Sequence, residues 1–497
     1  MKTKVTKLLC LLLSGLMLVT AFVGCAENVD DPGEQQTSGE AVTEGETLDP
    51  VQSALDGLGE IDWGGEEFAV LYSGAFKGEV YAENGTVDQE GGASQVINDA
   101  VWDRNSLFED RCNLKWNTVE AADMNSAVQK EASTGTGDFY FIDNRLGDSA
   151  TMATNGYLYN LYDLGMDLEG EWWDSGTAEF VLAGGVYFMS GSLNYADDGV
   201  TYVLIFNKDM QKTYQNTVPN PYQTARDGEW TLEYFYNVIQ GISADNGDGT
   251  WNELDTYGFI NTWEYGNTFF IGSDLRYINN TNEDGEITLF LNDKAQMEKA
   301  LNVLELSQAI YHNNNASYMS PPGQEGLGQT AFKENRGLFY GEVVNHLTPL
   351  TQEMETEFGI LPVPKYDKKQ EFYRTWTHAS GSTFSITSAV KEDKQEIMGQ
   401  LLEAYAILSH QHLKPAYYDI MLTSRNVHDA ESAEMMDLMF ANRVYEMSFY
   451  FTANFGFFEL FKSATNDNSD KFSSQYSAQA KGFTTKVNRI LKKLENN

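Results

Sequence analysis

Along its first half the chain alternates short apolar runs, each closed by a polar or glycine-bearing loop, with stretches of helical spacing. Glu67-Phe68-Ala69-Val70-Leu71-Tyr72-Ser73-Gly74 has the pattern of a buried parallel strand whose carboxyl end opens into a loop. From Val96 to Cys112 the apolar positions Ile97, Ala100, Val101, Phe108 and Cys112 recur on one helical face, while Asp99, Asp103, Arg104, Glu109 and Asp110 point elsewhere. Asn113 to Asn117 reads as a second strand, Met124 to Ser133 as a helix, and Asp138 to Ile142 as a third strand followed by a polar loop holding Asp143, Asn144 and Arg145. This rhythm predicts an α/β fold in which a mostly parallel sheet is flanked by helices on both faces. Ligands of such sheets sit beyond the carboxyl ends of the strands, so Tyr72, Ser73, Asp143, Asn144 and Arg145 are candidate ligand contacts.

The second half repeats the theme. Val200 to Phe206 is a β-prone run ended by Asn207-Lys208-Asp209, and Trp230-Thr231-Leu232-Glu233 opens a helix with Thr231 as N-cap. Strands are expected at Tyr257 to Ile260, around Phe339 to Glu342, at Phe358 to Pro364 and at Thr383 to Ile386, and from Gln395 onward the pattern is mostly helical. No repeat of solenoid period is visible.

The amino terminus departs from this alternation. Lys2, Lys4 and Lys7 precede an apolar stretch from Leu8 to Val23, and Gly24 stands directly before Cys25, an order that resembles a bacterial lipoprotein signal with Cys25 as the lipidated first residue. The stretch is about 16 residues, against the roughly 20 that a membrane-spanning helix needs. Residues 1–24 are therefore expected to be a leader and 25–60 a lipidated, acidic, flexible tether too poor in apolar surface to fold. Of three cysteines only Cys112 then remains in the folded part, so no intramolecular disulfide forms, and its place on an apolar stripe predicts a buried structural thiol.

Composition narrows the function. About 440 residues remain to fold, more than one core normally supports, which predicts at least two domains. The formal net charge of −40 excludes a phosphate-tracking surface and hence nucleic acid as partner. Aromatic residues make up 13% of the chain and are spread along it, as a ring-lined surface cleft would require.

Several ordered segments resemble the family 1 extracellular solute-binding proteins of ABC importers. They are Asp138 to Gly147, Gly156-Tyr157-Leu158-Tyr159-Asn160-Leu161, Ile205-Phe206-Asn207-Lys208-Asp209, Trp230 to Phe235, and Gly337 to Gly341 followed by Phe358 to Pro364. The resemblance implies a two-lobe periplasmic-binding-protein-like fold that closes on a ligand by hinge motion, with lobe 1 at 61–197 plus 355–410 and lobe 2 at 198–354 plus 411–497. It also implies a monomeric carbohydrate-binding lipoprotein on the outer face of the bacterial cell membrane, taking an oligosaccharide and handing it to ABC permease subunits without altering it.

Sugar recognition stacks C–H faces on rings and pairs hydroxyls with carboxylates, amides and Arg. By that chemistry the first-lobe candidates are extended by Asn194, Tyr195 and Asp197, which precede the crossing strand. The second lobe and the loops between lobes add Trp263 and Glu264, Tyr340 and Glu342, Trp376 with His378 and Ser380, and Tyr450 from the ring cluster Phe449-Tyr450-Phe451. No organic cofactor is expected. Asp245, Asn246, Asp248 and Asp255 around Gly247 and Gly249 resemble a calcium loop, although Ala244 holds its first ligand position; a polar surface turn is the other reading. Two rival functions stay open: a surface glycoside hydrolase using a carboxylate pair, for which 73 acidic residues make any pair uninformative, and a ligand sensor without transport.

Overall fold

The computed structural model describes residues 49–83, 95–279, 286–423 and 429–494. The leader, Cys25 and most of the expected tether lie outside the described residues. In chain order the strands of four residues or more are β1 (Glu67–Ser73), β2 (Lys115–Ala121), β3 (Phe141–Arg145), β4 (Tyr202–Asn207), β5 (Tyr257–Thr262), β6 (Ser317–Ser320), β7 (Gly337–Val343), β8 (Phe358–Leu361) and β9 (Ser382–Ile386). Helices packed on them include α1 (Pro50–Gly57), α2 (Gln95–Cys112), α3 (Met124–Thr134), α4 (Leu146–Thr154), α5 (Leu232–Ile239), α6 (Lys294–His312), α7 (Gln395–Thr423), α8 (Phe458–Asn466) and α9 (Phe483–Leu494).

The last part of the expected tether is folded. Asp49 caps α1 by accepting the Val51 N–H at 3.0 Å, Pro50 supplies the first helical position, and Val51 and Leu55, one turn apart, are buried with Trp63 and Leu402. Two apolar residues at i and i+4 are enough to dock a segment whose average composition reads as solvated.

The strands form two mixed sheets. In the first, ordered β9–β3–β1–β2, β1 runs parallel to β2 and β3, as the strand–helix alternation predicts, and β9 runs antiparallel to β3. In the second, ordered β8–β4–β7–β5–β6, strands β5, β6 and β7 are parallel, while β4 is antiparallel to both its neighbours β7 and β8. The assignment of 355–410 to the first lobe therefore needs correction: β8 pairs Phe358 with Asn207 and Leu361 with Leu204 and so edges the second sheet. Pro362 and Pro364 fit an edge strand, where absent N–H groups break no ladder, but they do not say which sheet is edged. The chain returns to the first sheet only at β9.

Two helices tie the sheets together. Toward one end of α2, Phe108 and Cys112 pack with Phe68, Phe141 and the α7 residues Leu401 and Tyr405; toward the other, Ile97 and Val101 pack with Val203, Ile205, Tyr340 and the α7 residues Leu413 and Tyr417. The helices thus run antiparallel, and each spans both sheets, so the expected division of α7 at residue 410 does not separate two bodies. Cys112 is buried and free, and burial pushes its thiol up to about 12, which makes it inert.

A buried polar knot sits where α2, α7 and the first sheet meet. Glu79, fully buried, accepts the backbone N–H groups of Tyr195 at 2.5 Å and Ala196 at 2.7 Å and the Ser382 hydroxyl at 3.0 Å. Arg104, which the helical pattern put on the polar face, is also fully buried: it donates to the Glu79 carbonyl at 2.6 Å and to Ser409 at 3.2 Å, and its guanidinium lies 4.2 Å from the Tyr405 ring centroid. Burial raises the Glu79 carboxyl from 4.5 to about 7, against the pull of its hydrogen bonds.

Two outcomes are expected. Phe68 meets the rings of Trp63, Phe108, Trp116, Tyr140 and Phe141, so Phe68→Ala should lower unfolding free energy by about 3–5 kcal/mol in denaturant titration, while Leu301→Ala, at a side chain 40% exposed, should change it by under about 0.5 kcal/mol. For Glu79 the folded state holds its proton more tightly than the unfolded one, so the stability it contributes is complete below 4.5 and is lost as pH rises through about 7. Glu79→Gln should flatten the fall in melting temperature across that interval; an unchanged slope would place the titration elsewhere.

Candidate functional site

A cavity of about 370 Å³ opens where the carboxyl end of β3 passes into α4. Its first wall is Arg145, Gly147, Asp148 and Thr151. Arg145 is the last residue of β3 and the N-cap of α4, and Asp148 lies in that helix's first turn, near the positive end of the helix dipole. The second wall is His378-Ala379-Ser380, in the loop leading into β9. The third comes from the chain beyond α7: Phe449, Tyr450, Phe451, Thr452, Asn454 and Phe458.

Backbone hydrogen bonds hold these walls in place. The first N–H groups of α4 have no helical acceptor, and Leu146 and Gly147 donate instead to the carbonyls of Gly381 at 2.8 Å and Ala379 at 3.1 Å. His378 N–H donates to Val200 at 3.0 Å, and Tyr450 Oη donates to the Thr377 carbonyl at 2.6 Å. The loop is thereby fixed between the first sheet, the crossing chain before β4 and the ring-bearing segment.

A charged relay lies behind His378. Its Nε2 is 3.5 Å from Glu264, whose Oε2 also accepts the Tyr202 hydroxyl at 3.1 Å, and its Nδ1 is 2.8 Å from the Ser380 hydroxyl. Lys462 stands 3.9 Å from the Glu264 carboxylate and 3.7 Å from the Trp263 ring centroid, a cation–π contact. Burial lowers the His378 imidazole below its ordinary value, so at neutral pH it offers one N–H and one lone pair; burial also lowers Lys462.

The residues proposed from sequence are spread over several places in the fold. Arg145, His378 and Tyr450 line the cavity, and Glu264 and Trp263 stand behind it. Asp143, Asn194, Tyr195 and Asp197 belong to the polar knot instead. Asp143 and Asn144 are not loop residues but lie in β3, whose period-two alternation puts Asp143 on the face of Phe141, toward Arg104 and Tyr405, and Asn144 on the opposite face, where its amide meets the Met152 sulfur at 3.6 Å. Both Asp143 oxygens are buried without a hydrogen-bond partner, and burial, with Glu79 nearby, raises the carboxyl well above its ordinary value. Asn194 donates to Glu79 at 3.4 Å, Tyr195 stacks on Tyr417 at 5.1 Å, and Asp197 accepts from Ser190 at 2.7 Å.

The remaining candidates pack elsewhere. Tyr72 reaches Glu120 at 3.2 Å on the β2 side of the first sheet, and Ser73 begins the turn after β1, away from the cavity walls. Tyr340 is buried in β7 against Phe332, its hydroxyl 3.2 Å from Glu342, which in turn meets His346 at 3.2 Å. Trp376 is no exposed platform: it is fully buried, stacked on Tyr202 at 4.5 Å with its indole N–H on Thr268 at 3.0 Å.

The acidic turn closes on itself. Asp245 accepts the N–H of Gly247 at 2.6 Å, Asp248 that of Thr250 at 2.7 Å, and Asp255 those of Asn246 at 2.8 Å and Asn252 at 2.7 Å. The Asn246 side chain likewise accepts from Asp248 N–H at 2.9 Å. Asp245, Asn246 and Asp248 each close an Asx turn on the N–H two residues on, and Asp255 ties the loop back to its start. Among the described residues no group of three or more acidic, His or Cys side chains is placed to hold a metal ion.

Sequence reasoning missed Asp148, Thr151, Asn454 and Phe458 in the cavity and Lys462 behind it. Asp148 carries a weak signal as a first-turn acid after a strand end; the others stand on helices whose docking the sequence does not state.

No protein-family model and no curated protein matches the chain. Solved structures do match. A cyclo/maltodextrin-binding protein complexed with maltotetraose superposes with a TM-score of 0.51 at 12% identity, covering 87% of this chain and 97% of its own. A sugar transporter from Rhizobium etli in an open conformation superposes with a TM-score of 0.52 at 13% identity, covering 84% of this chain and 99% of its own. Two mixed sheets joined by crossing segments, with a cavity at the carboxyl end of a first-sheet strand, are thus the two-lobe α/β fold that these solved binding-protein and transporter structures share.

Proposed function

We propose that this protein is an extracytoplasmic solute-binding protein that takes a carbohydrate, an oligosaccharide, into the cavity beside β3 and α4 and passes it to the membrane subunits of an ABC importer, tethered through a lipid on Cys25. The observation that carries the reading is the make-up of that cavity: the half-buried Phe458 ring and the segment Phe449-Tyr450-Phe451, whose rings are buried in the core, stand across from Arg145, Asp148, His378 and Ser380. The Phe458 ring offers a face for sugar C–H groups, and the polar set offers donors and acceptors for hydroxyls. The solved structures of the same fold include one holding a maltodextrin, which supports the ligand class.

Binding without turnover fits the same walls. Glycoside hydrolysis needs two carboxyl groups flanking one bond, and Asp148 is the one carboxylate among the residues lining the cavity. Glu264 is held behind His378 by the Tyr202 hydroxyl.

Titration calorimetry against a panel of neutral and charged oligosaccharides, with chromatography of the mixtures afterward, should show binding and unchanged sugar; released shorter products would end the binding-protein reading. Arg145→Ala removes an exposed side chain from the cavity wall and should weaken binding tenfold or more, about 1.4 kcal/mol, while Tyr72→Phe, whose hydroxyl meets Glu120 of β2 and which does not line the cavity, should leave affinity unchanged. Equal affinities for wild type and Arg145→Ala would place the ligand elsewhere.

A further inference from the structure

The C-terminal helix α9 adds a basic extension to the cavity. Its apolar stripe, Phe483, Val487 and Ile490, is buried, which fixes its rotation. Lys486, Arg489 and Lys493, at i, i+3 and i+7, then fall on one side, and all three line a second cavity of about 240 Å³. Across it stand Thr151 and Thr154 of α4 with Asn155. Thr151 and Asn454 line both this cavity and the larger one holding the rings, so the two are neighbours sharing walls.

The charge there runs against the rest of the molecule. Acidic residues number 73 and basic ones 33, yet among the described residues the lining of this second cavity has three cations and no carboxylate. Like charges one turn apart, as at Arg489 and Lys493, repel each other on a helix surface. Lys486 donates to the Phe455 carbonyl at 3.4 Å, a neutral acceptor, and one contact of Lys493 is the Asn155 amide oxygen at 3.2 Å. Arg489 is exposed and, among the described residues, forms no salt bridge. Arg145 adds a fourth cation on the ring side of the shared wall.

We infer that the ligand is an anionic oligosaccharide, a sugar chain with acidic substituents, whose sugar rings lie in the larger cavity beside the half-buried Phe458, Arg145 and His378 while its acidic groups face Lys486, Arg489 and Lys493. This rests on the reading that the ring-lined cavity binds sugar, and it names the class of sugar. Guanidinium pairs with a planar carboxylate or with a sulfate ester through two parallel N–H groups, and the ammonium groups add point charges.

The test is calorimetry of the whole protein with trigalacturonic acid, a sulfated trisaccharide, neutral galactotriose and phosphatidylglycerol vesicles. One charged trisaccharide should bind at least about tenfold tighter than the neutral one, with the preference shrinking as salt rises from about 0.05 to about 0.5 M. The triple change K486Q/R489Q/K493Q should remove that preference and leave neutral-sugar affinity within about twofold; Arg489→Gln alone, at an exposed position, should remove part of it. Equal affinity for charged and neutral sugars, or a preference untouched by the substitutions, overturns the inference and leaves the sugar-binding reading standing. Vesicle binding that the substitutions abolish, with no preference among sugars, also overturns it and makes the patch a lipid contact. Failure to bind any of the three sugars removes the sugar-binding reading together with the inference.

Discussion

The packing of α7 against α2 is the constraint on which the remaining architecture depends. Each helix carries two apolar patches, and each patch closes a different sheet: Phe108 with Tyr405 on the first, Val101 with Leu413 on the second. Because the patches share one rigid rod, the spacing between sheets follows from helix geometry rather than from the loops that cross between them. Pro415 lies inside α7, after the residues that seal the first sheet and between Leu413 and Tyr417. It removes one intrahelical hydrogen bond within the stretch of the helix that packs on the second sheet. The buried polar knot of Glu79 and Arg104 occupies the junction of α2 and α7 with the first sheet, so its groups are satisfied only when β9, the chain before β4 and both helices are all in place.

That frame sets the position of the loop from Thr377 to Gly381, and the loop assembles the candidate site. Its carbonyls take the orphan amides of α4, its own His378 amide reaches Val200, and Tyr450 donates to Thr377 from the far wall. Residues far apart in the chain, Arg145, His378 and Tyr450, are brought to one cavity by backbone groups that would otherwise lack partners in a buried setting.

How far the sequence disclosed this can be judged at particular residues. The α2 stripe of Ile97, Val101, Phe108 and Cys112 is buried as its spacing predicts, and Thr231 caps α5 through the Tyr234 N–H at 3.2 Å. Asp143 went astray because a polar triplet after an apolar run reads as loop, whereas its pairing with Tyr72 and Phe384 extends β3 through Arg145. Once those residues are in a strand, alternation decides which of them can face the cavity. Trp376 misled for a related reason: a ring among polar neighbours resembles a platform, but Thr375-Trp376 pairs with Arg443-Val444 and turns the indole into the core.

Sequence alone determined what period and composition encode: strand–helix alternation, a chain long enough for two sheets, the strong acidity, and most of the strands and helices. These are local properties, set by side-chain spacing along a few turns or pleats. Tertiary structure decided which sheet takes β8, that β4 and β9 run antiparallel to their neighbours, that Arg104 is buried, and that a basic side of α9 lies beside the ring-lined cavity. Each of these depends on contacts between residues far apart in the chain, and such contacts follow from packing and from the pairing of buried polar groups, for which linear spacing carries no signal.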